Sequence, residues 1–137
     1  MPDIVIKEYH NFKAAEIFTL YQSVGWTNYT GTPSLLPDAF AHSLKTLAAY
    51  DEEKLVGIAR AVGDGASIVY LQDILVLPDY QRRGVGSALV KQMIKIYEHV
   101  YQMVLMTDST PKTIGFYQSL GFQSAAEIGC TAFFKIH

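Results

Sequence analysis

Two glycines one residue apart, Gly84 and Gly86, stand between the arginines Arg82 and Arg83 and a run with helical spacing, in the stretch PDYQRRGVGSALVKQM, residues 78–93. The first four amides of a helix have no partner inside it and point outward at the positive end of its dipole, so such an end attracts a phosphate. A Cβ blocks close approach, and the two glycines remove it at two places. Arg82 and Arg83 can add charge-assisted hydrogen bonds to phosphate oxygens. Plain turn glycines beside solvated arginines would look the same, because short glycine motifs match often.

The surrounding elements have to present that turn. DIVIKEY alternates and is β-branched, which predicts a first strand. From Asn11 a helical pattern places Ala14, Ile17, Tyr21 and Val24 on one face, with Gly25 as its stop. WTNYTGTPSLLP, residues 26–37, reads as a loop that carries Trp26 and Tyr29, and DAFAHSLK as a short helix. TLAAYDEEKLVGIARAV reads as a hairpin turning at residues 51–54. SIVYLQDILVL is apolar almost throughout, as expected of a central strand covered on both faces, and Pro78 ends it. Past the glycines, Val85, Leu89, Met93, Ile96, Tyr97 and Val100 predict an amphipathic helix of about four turns. YQMVLMT is then a second buried strand, which implies a parallel crossover. Thr110 and Pro111 resemble an N-cap and a first-turn proline of a short helix closed at Gly121. The tail, residues 122–136, fits two more strands with Gly129 at their turn.

Bulk composition sets the limits. The 137 residues, half of them hydrophobic and 18% charged, predict one globular domain over residues 1–137. A formal charge of -2 offers no bulk field for nucleic acid or anionic lipid, so neither is expected as a partner. Cys130 is the single cysteine, which excludes an intrachain disulfide framework and fits a reducing compartment. MPDIVIKEYH does not read as a signal peptide, and no apolar run approaches the roughly 20 residues that cross a bilayer. A cytoplasmic protein is expected. His10, His42, His99 and His137 lack ligand spacing, so no metal site is expected.

Two familiar phosphate motifs fit poorly. A dinucleotide fingerprint wants a third small residue where Leu89 stands, and a nucleotide-hydrolase loop wants a Gly-Lys-Ser/Thr ending that is absent. QRRGVG, residues 81–86, instead resembles the signature of the GNAT superfamily of N-acetyltransferases, Gln/Arg-x-x-Gly-x-Gly/Ala, which opens a helix after a central strand. DILVLPDY before it and FYQSLGF, residues 116–122, are similar to two further segments of that family. The resemblance covers most of the chain from about Thr46 onward.

The resemblance implies an α/β (α+β) fold with a mixed, mostly antiparallel central sheet, splayed parallel strands and helices on both faces. It implies acetyl-CoA as donor, its pyrophosphate on the amides of Arg82, Arg83, Gly84, Val85, Gly86 and Ser87, opened by Gln81. Its pantetheine arm would pair with the backbone of Ile74, Leu75 and Val76. Where the family often has Asn and Ala ahead of FY, this chain has Thr110 and Thr113; Thr110 could cap the helix or bond the arm.

Acetyl transfer to an amine needs a neutral amine, a stabilised oxyanion and a proton for the departing thiolate. Tyr117 matches the tyrosine that family members often use as general acid; a core aromatic is the alternative. A backbone amide near Leu75 would hold the oxyanion. Asp73, the one carboxylate in the central strand, could take a proton directly, act through water, or hold neighbouring amides, and Gln72 could face the cleft instead. Strand alternation puts Gln72 and Asp73 on opposite faces unless a bulge intervenes. Trp26 and Tyr29 occupy the acceptor side in the family, where they could hold a small-molecule or protein amine, or simply pack in the core. A catalytically silent acyl-CoA-binding sensor is the rival reading. Many relatives pair through their last strands, so a homodimer through Phe133 or Phe134 is expected from the same resemblance.

Overall fold

A computed structural model describes residues 3–137. Along the chain run β1 (Ile4–Glu8), α1 (Ala14–Ser23), α2 (Thr27–Thr30), α3 (Leu35–Ala41), β2 (Lys45–Asp51), β3 (Lys54–Gly63), β4 (Ile68–Val76), α4 (Val85–Ile96), β5 (Gln102–Leu105) and α5 (Pro111–Ser119). Single 3-10 turns occur at Pro78–Tyr80 and Ala125–Ile128. The residues gather into two compact units, Met1–Met106 and Thr107–His137.

In the first unit the strands form one sheet in the order β1-β2-β3-β4-β5, antiparallel throughout except for the parallel pair β4 and β5. The mixed, mostly antiparallel sheet anticipated from the sequence is therefore present, with the glycine turn and α4 as the crossover. Helices cover both faces. Ile58 of β3 packs with Ile17, Leu20 and Tyr21 of α1 and Leu36 of α3. A Cβ placed on its neighbour Gly57 would meet Val85 Cγ1 at 3.3 Å and Leu89 Cδ1 at 3.4 Å, both on α4. Consecutive strand residues point to opposite faces, so α1 and α4 lie on opposite sides of the sheet. The bare backbone of Gly57 lets α4 settle close, which fixes the height of its N-terminus over the end of β4.

The β3–β4 turn, GDGA, is built by one carboxylate. Asp64 Oδ1 accepts hydrogen bonds from the amides of Ala66 and Ser67, both at 2.8 Å, and of Ile68 at 3.1 Å, while Ser67 Oγ donates to Oδ2. Those donors, the Ser67 hydroxyl foremost, hold the Asp64 carboxyl well below the usual carboxylate range.

Some boundaries differ from expectation. α3 begins at Leu35, ahead of DAFAHSLK, because Pro37 fits a first turn where its missing N–H costs nothing. It ends at Ala41, since Leu44 N already donates to Ala61 O at 2.8 Å and joins the sheet. Residues expected as loop include the short α2. α4 spans 12 residues, nearer three turns than four, with Tyr97 as its C-cap.

In the second unit α5 opens as anticipated. Thr110 is the N-cap, Pro111 occupies the first turn, and Thr110 Oγ1 accepts from Thr113 N at 3.4 Å. The expectation of two tail strands is corrected. Residues 125–128 form a 3-10 turn closed by Cys130 N donating to Ala125 O, and residues 130–137 have no regular structure. A strand exists only by pairing, and among the described residues no segment of the tail pairs with another; Phe133 is 92% exposed and Ile136 84%. Among the described residues, no helix is long and apolar enough to cross a membrane.

Two outcomes follow from these contacts. Gly57→Val should force α4 off the sheet and cost about 2 kcal/mol, the usual penalty of overpacking, read from urea denaturation. A carboxyl held below its unfolded value stabilises the fold above that value and ceases to do so as pH falls through the folded one. The stability gap between wild type and Asp64→Ala should thus be full above about pH 5 and shrink below about pH 4.

Candidate functional site

The turn after β4 is strained and uncapped. Arg82 has φ +65°, a left-handed backbone that costs a residue with a side chain, and Gly84 has φ +80°. A Cβ at Gly84 would meet nothing within 4 Å, so open space lies over it. α4 has no side-chain cap and no acidic residue in its first turn. The first bond reaching back to the cap is Ala88 N to Gly84 O at 3.0 Å. Among the described residues nothing accepts from the amides of Val85, Gly86 and Ser87. Three outward amides, open space and two exposed arginines meet the requirements of an anion as large as a diphosphate. Beside them lies a depression of about 350 Å3 whose walls include Ile4 and Ile6 of β1 with Arg83, Gly84 and Val85.

Next to the turn, β4 has free main chain. Its parallel pairing with β5 runs only from Ile68 with Gln102 to Leu71 with Leu105. On the β3 side the pairing continues to Val76 opposite Gly57, and Leu77 N donates to Val56 O at 2.9 Å. In an antiparallel ladder the backbone groups alternate in direction. Leu77 and Leu75 therefore turn theirs to β3, while Ile74 and Val76 turn theirs to the side that β5 has left. Gln81 Nε2 donates to Val76 O at 3.0 Å, as that direction requires. Of the three residues expected to meet an extended amide arm, Ile74 turns both its main-chain groups to the free side, and Val76 its N–H, its carbonyl being taken by Gln81.

A bulge decides what lies one step further back. Arg60 is opposite Asp73 and Ala61 is opposite Leu71, which leaves Gln72 as an extra residue. Gln72 and Asp73 consequently reach toward the same helices. Gln72 Nε2 donates to Tyr29 OH at 3.2 Å, and Asp73 Oδ2 accepts from Tyr21 OH at 2.5 Å. Tyr21 packs edge-on against Trp26 and Tyr29, with ring centroids 6.2 and 5.8 Å away, and Trp26 and Tyr29 are 6.3 Å apart. The three residues expected on the acceptor side, Trp26, Tyr29 and Gln72, are thus neighbours. Trp26 keeps 36% of its surface exposed.

Asp73 is 1% exposed and ion-paired. Arg60 Nε donates to the same Oδ2 at 2.8 Å, its Nη1 reaches Ser43 Oγ at 3.2 Å, and its guanidinium stands 5.5 Å from the Phe40 ring. Asp73 Oδ1 is buried with no partner among the described residues. Burial, then the Asp73 charge, push the Tyr21 hydroxyl far above the ordinary tyrosine range, so it donates and does not ionise. The carboxylate is thus held by a guanidinium and a hydroxyl that share one oxygen.

In the second unit Tyr117 packs edge-on with Phe116 at 4.9 Å and Phe122 at 5.9 Å. Burial first, and Asp108 second, raise its hydroxyl above the usual range, so it holds its proton at neutral pH. Thr110 spends its hydroxyl on the cap, donating to Asp108 Oδ1 at 2.6 Å. Among the described residues no group of three or more His, Cys, Asp or Glu is placed to hold a metal ion.

Sequence reading passed over Arg60 and Tyr21. A lone arginine inside the apolar run LVGIARAV was the available signal for a buried ion pair. Tyr21 showed only helical spacing, and its hydroxyl was visible to no pattern.

Comparison with known proteins bears on the whole arrangement. A family model described as "Acetyltransferase (GNAT) domain" matches residues 42–124. The GCN5-related N-acetyltransferase 2 of Arabidopsis thaliana, named as chloroplastic, is 38% identical over 78 residues, 56% of this chain and 30% of that protein. A Glycine max protein named histone acetyltransferase TAP1 is 34% identical over 79 residues, 56% of this chain and 33% of that one. The chain spans about a third of the length of these plant relatives. The structure of a GNAT-family acetyltransferase from Streptococcus pneumoniae TIGR4 superposes with a TM-score of 0.89 at 41% identity, covering 98% of both chains.

The ion pair makes a direct prediction. Arg60→Met strands a buried carboxylate beside the Tyr21 hydroxyl and should cost about 3 kcal/mol in urea denaturation, as broken buried pairs do.

Proposed function

Because the chain belongs to the GNAT family of acetyltransferases, we propose that it moves an acetyl group from acetyl-CoA to the amine of a small molecule or of a protein, by direct attack with donor and acceptor bound together. The observation that carries this reading is the uncapped start of α4, open over Gly84, directly beside the unpaired main chain of β4. The donor supplies a thioester, whose carbonyl is open to an amine. In this reading the amides of Val85, Gly86 and Ser87, with Arg82 and Arg83, grip its pyrophosphate. The main chain of Ile74 and Val76 takes the amide arm as an added strand would, and one of their N–H groups polarises the carbonyl, in place of the Leu75 amide that is turned to β3.

Trp26, Tyr29 and Gln72 hold the acceptor. Their setting of aromatic faces and one amide suits an amine with an apolar or cationic body. Asp73 serves as a fixed negative charge, the amine proton leaving through water; the support is that Arg60 and Tyr21 already occupy its Oδ2. Tyr117 gives a proton to the departing thiolate, an assignment supported by the FYQSLGF segment and by a hydroxyl that stays protonated. The family match across residues 42–124 supports treating the chain as one catalytic domain. A homodimer covering Phe133 or Phe134 belongs to the same reading, and sedimentation as a monomer at micromolar concentration removes it.

The rival is a silent acyl-CoA sensor, which would keep QRRGVG and have no use for Tyr117. Tyr117→Phe should lower kcat at least about tenfold and leave acetyl-CoA affinity within about twofold. The acid form of Tyr117 is the working one, so wild-type kcat should fall only as pH rises past the ordinary tyrosine value of about 10. Thiol release, screened over amines and peptide N-termini, checks the reading; binding of acetyl-CoA without turnover on any of them favours the sensor. A larger rise in Tm with ATP or NAD than with acetyl-CoA sinks both.

A further inference from the structure

Tyr80 ends the 3-10 turn immediately before QRRGVG, and three things converge on it. Its backbone N donates to Leu77 O at 2.8 Å, which fixes where the ring leaves the chain. Its hydroxyl donates to Asp51 Oδ2 at 2.5 Å, at the end of β2. Its ring carries two cations from separate elements, with Arg83 Cζ 5.3 Å and Lys54 Nζ 5.5 Å from the centroid. Among the described residues neither cation is in an ion pair.

Asp51 faces Lys54 across the β2–β3 turn and would be its natural partner. The Tyr80 hydroxyl takes one oxygen of that carboxylate, and Lys54 lies over the Tyr80 ring, as Arg83 does, with no carboxylate partner among the described residues. An arginine on an open surface loses rotamer freedom when it binds a ligand, and a side chain already seated on an aromatic face has lost part of it beforehand. We infer that Tyr80 is a positioning residue of the donor site: ring and hydroxyl together preset Arg83, with Lys54 beside it, for the phosphate groups of the acyl donor. This rests on the reading of the α4 turn as a diphosphate site. It adds the β2–β3 hairpin to that site, which no glycine motif touches.

The test is a double-mutant cycle read as the dissociation constant of acetyl-CoA by calorimetry, with a thermal melt on each variant. Arg83→Met should weaken binding about tenfold in the wild-type background. Tyr80→Leu should weaken it about fivefold. The double variant should be no more than about twofold worse than Arg83→Met alone, because Tyr80 acts through Arg83. Tyr80→Phe, which keeps the ring but frees Asp51 to pair with Lys54, should lose about threefold, as Lys54→Met should. If Tyr80→Leu does not fold, Tyr80→Gln takes its place in the cycle. Losses that multiply in the double variant overturn the inference and leave the proposed function standing. A wild-type protein that does not bind acetyl-CoA overturns both.

Discussion

Every backbone amide and carbonyl in β4 has to find a partner, and its two neighbours are not the same length. β3 accompanies it to Val76, while β5 leaves after Leu71. The strand therefore carries a stretch in which one edge is satisfied and the other is bare, at the end where the chain turns into α4. Unpaired main chain is costly to bury and is tolerated only where water or a ligand can supply the missing bonds. One length mismatch thus produces an open edge, and α4, seated close through Gly57, brings its uncapped amides to the end of that edge.

The same strand meets the aromatic cluster of Tyr21, Trp26 and Tyr29 by a second irregularity. One extra residue at Gln72 turns two consecutive side chains toward α1 and α2, which an unbroken strand forbids. Asp73 is then committed to Arg60 and Tyr21, and Tyr21 in turn backs Trp26 and Tyr29. The buried charge anchors the hydroxyl of the tyrosine on which the aromatic wall rests. Its cost is offset by the two hydrogen bonds on Oδ2.

Much of this was legible in the residues. Helix and strand periodicity marked out α1, α4, β2, β3 and β4, and the Thr110-Pro111 pair located the start of α5, because these depend on local spacing and on which residues cap. QRRGVG pointed to an anion for a reason that needs no tertiary structure. The rest depended on pairing between distant segments. The tail alternates well enough for strands, yet strand formation requires a neighbour, and no periodicity reports one. The bulge at Gln72 exists only relative to β3, so the question of which face Asp73 takes had two open answers until the register was known. Asp51 and Tyr80 are 29 positions apart and share a hydrogen bond that no motif encodes.

The exposed end of the chain has a practical side. Phe133, Phe134 and Ile136 stand largely in water on a molecule whose sequence pI is about 6.0 and whose formal charge is -2. Colloidal repulsion between copies is correspondingly weak near neutrality, and sticky apolar surface is what remains to govern encounters. Solubility should pass through its minimum around mildly acidic pH, and alkaline, low-salt buffers are the natural medium for concentrating this protein.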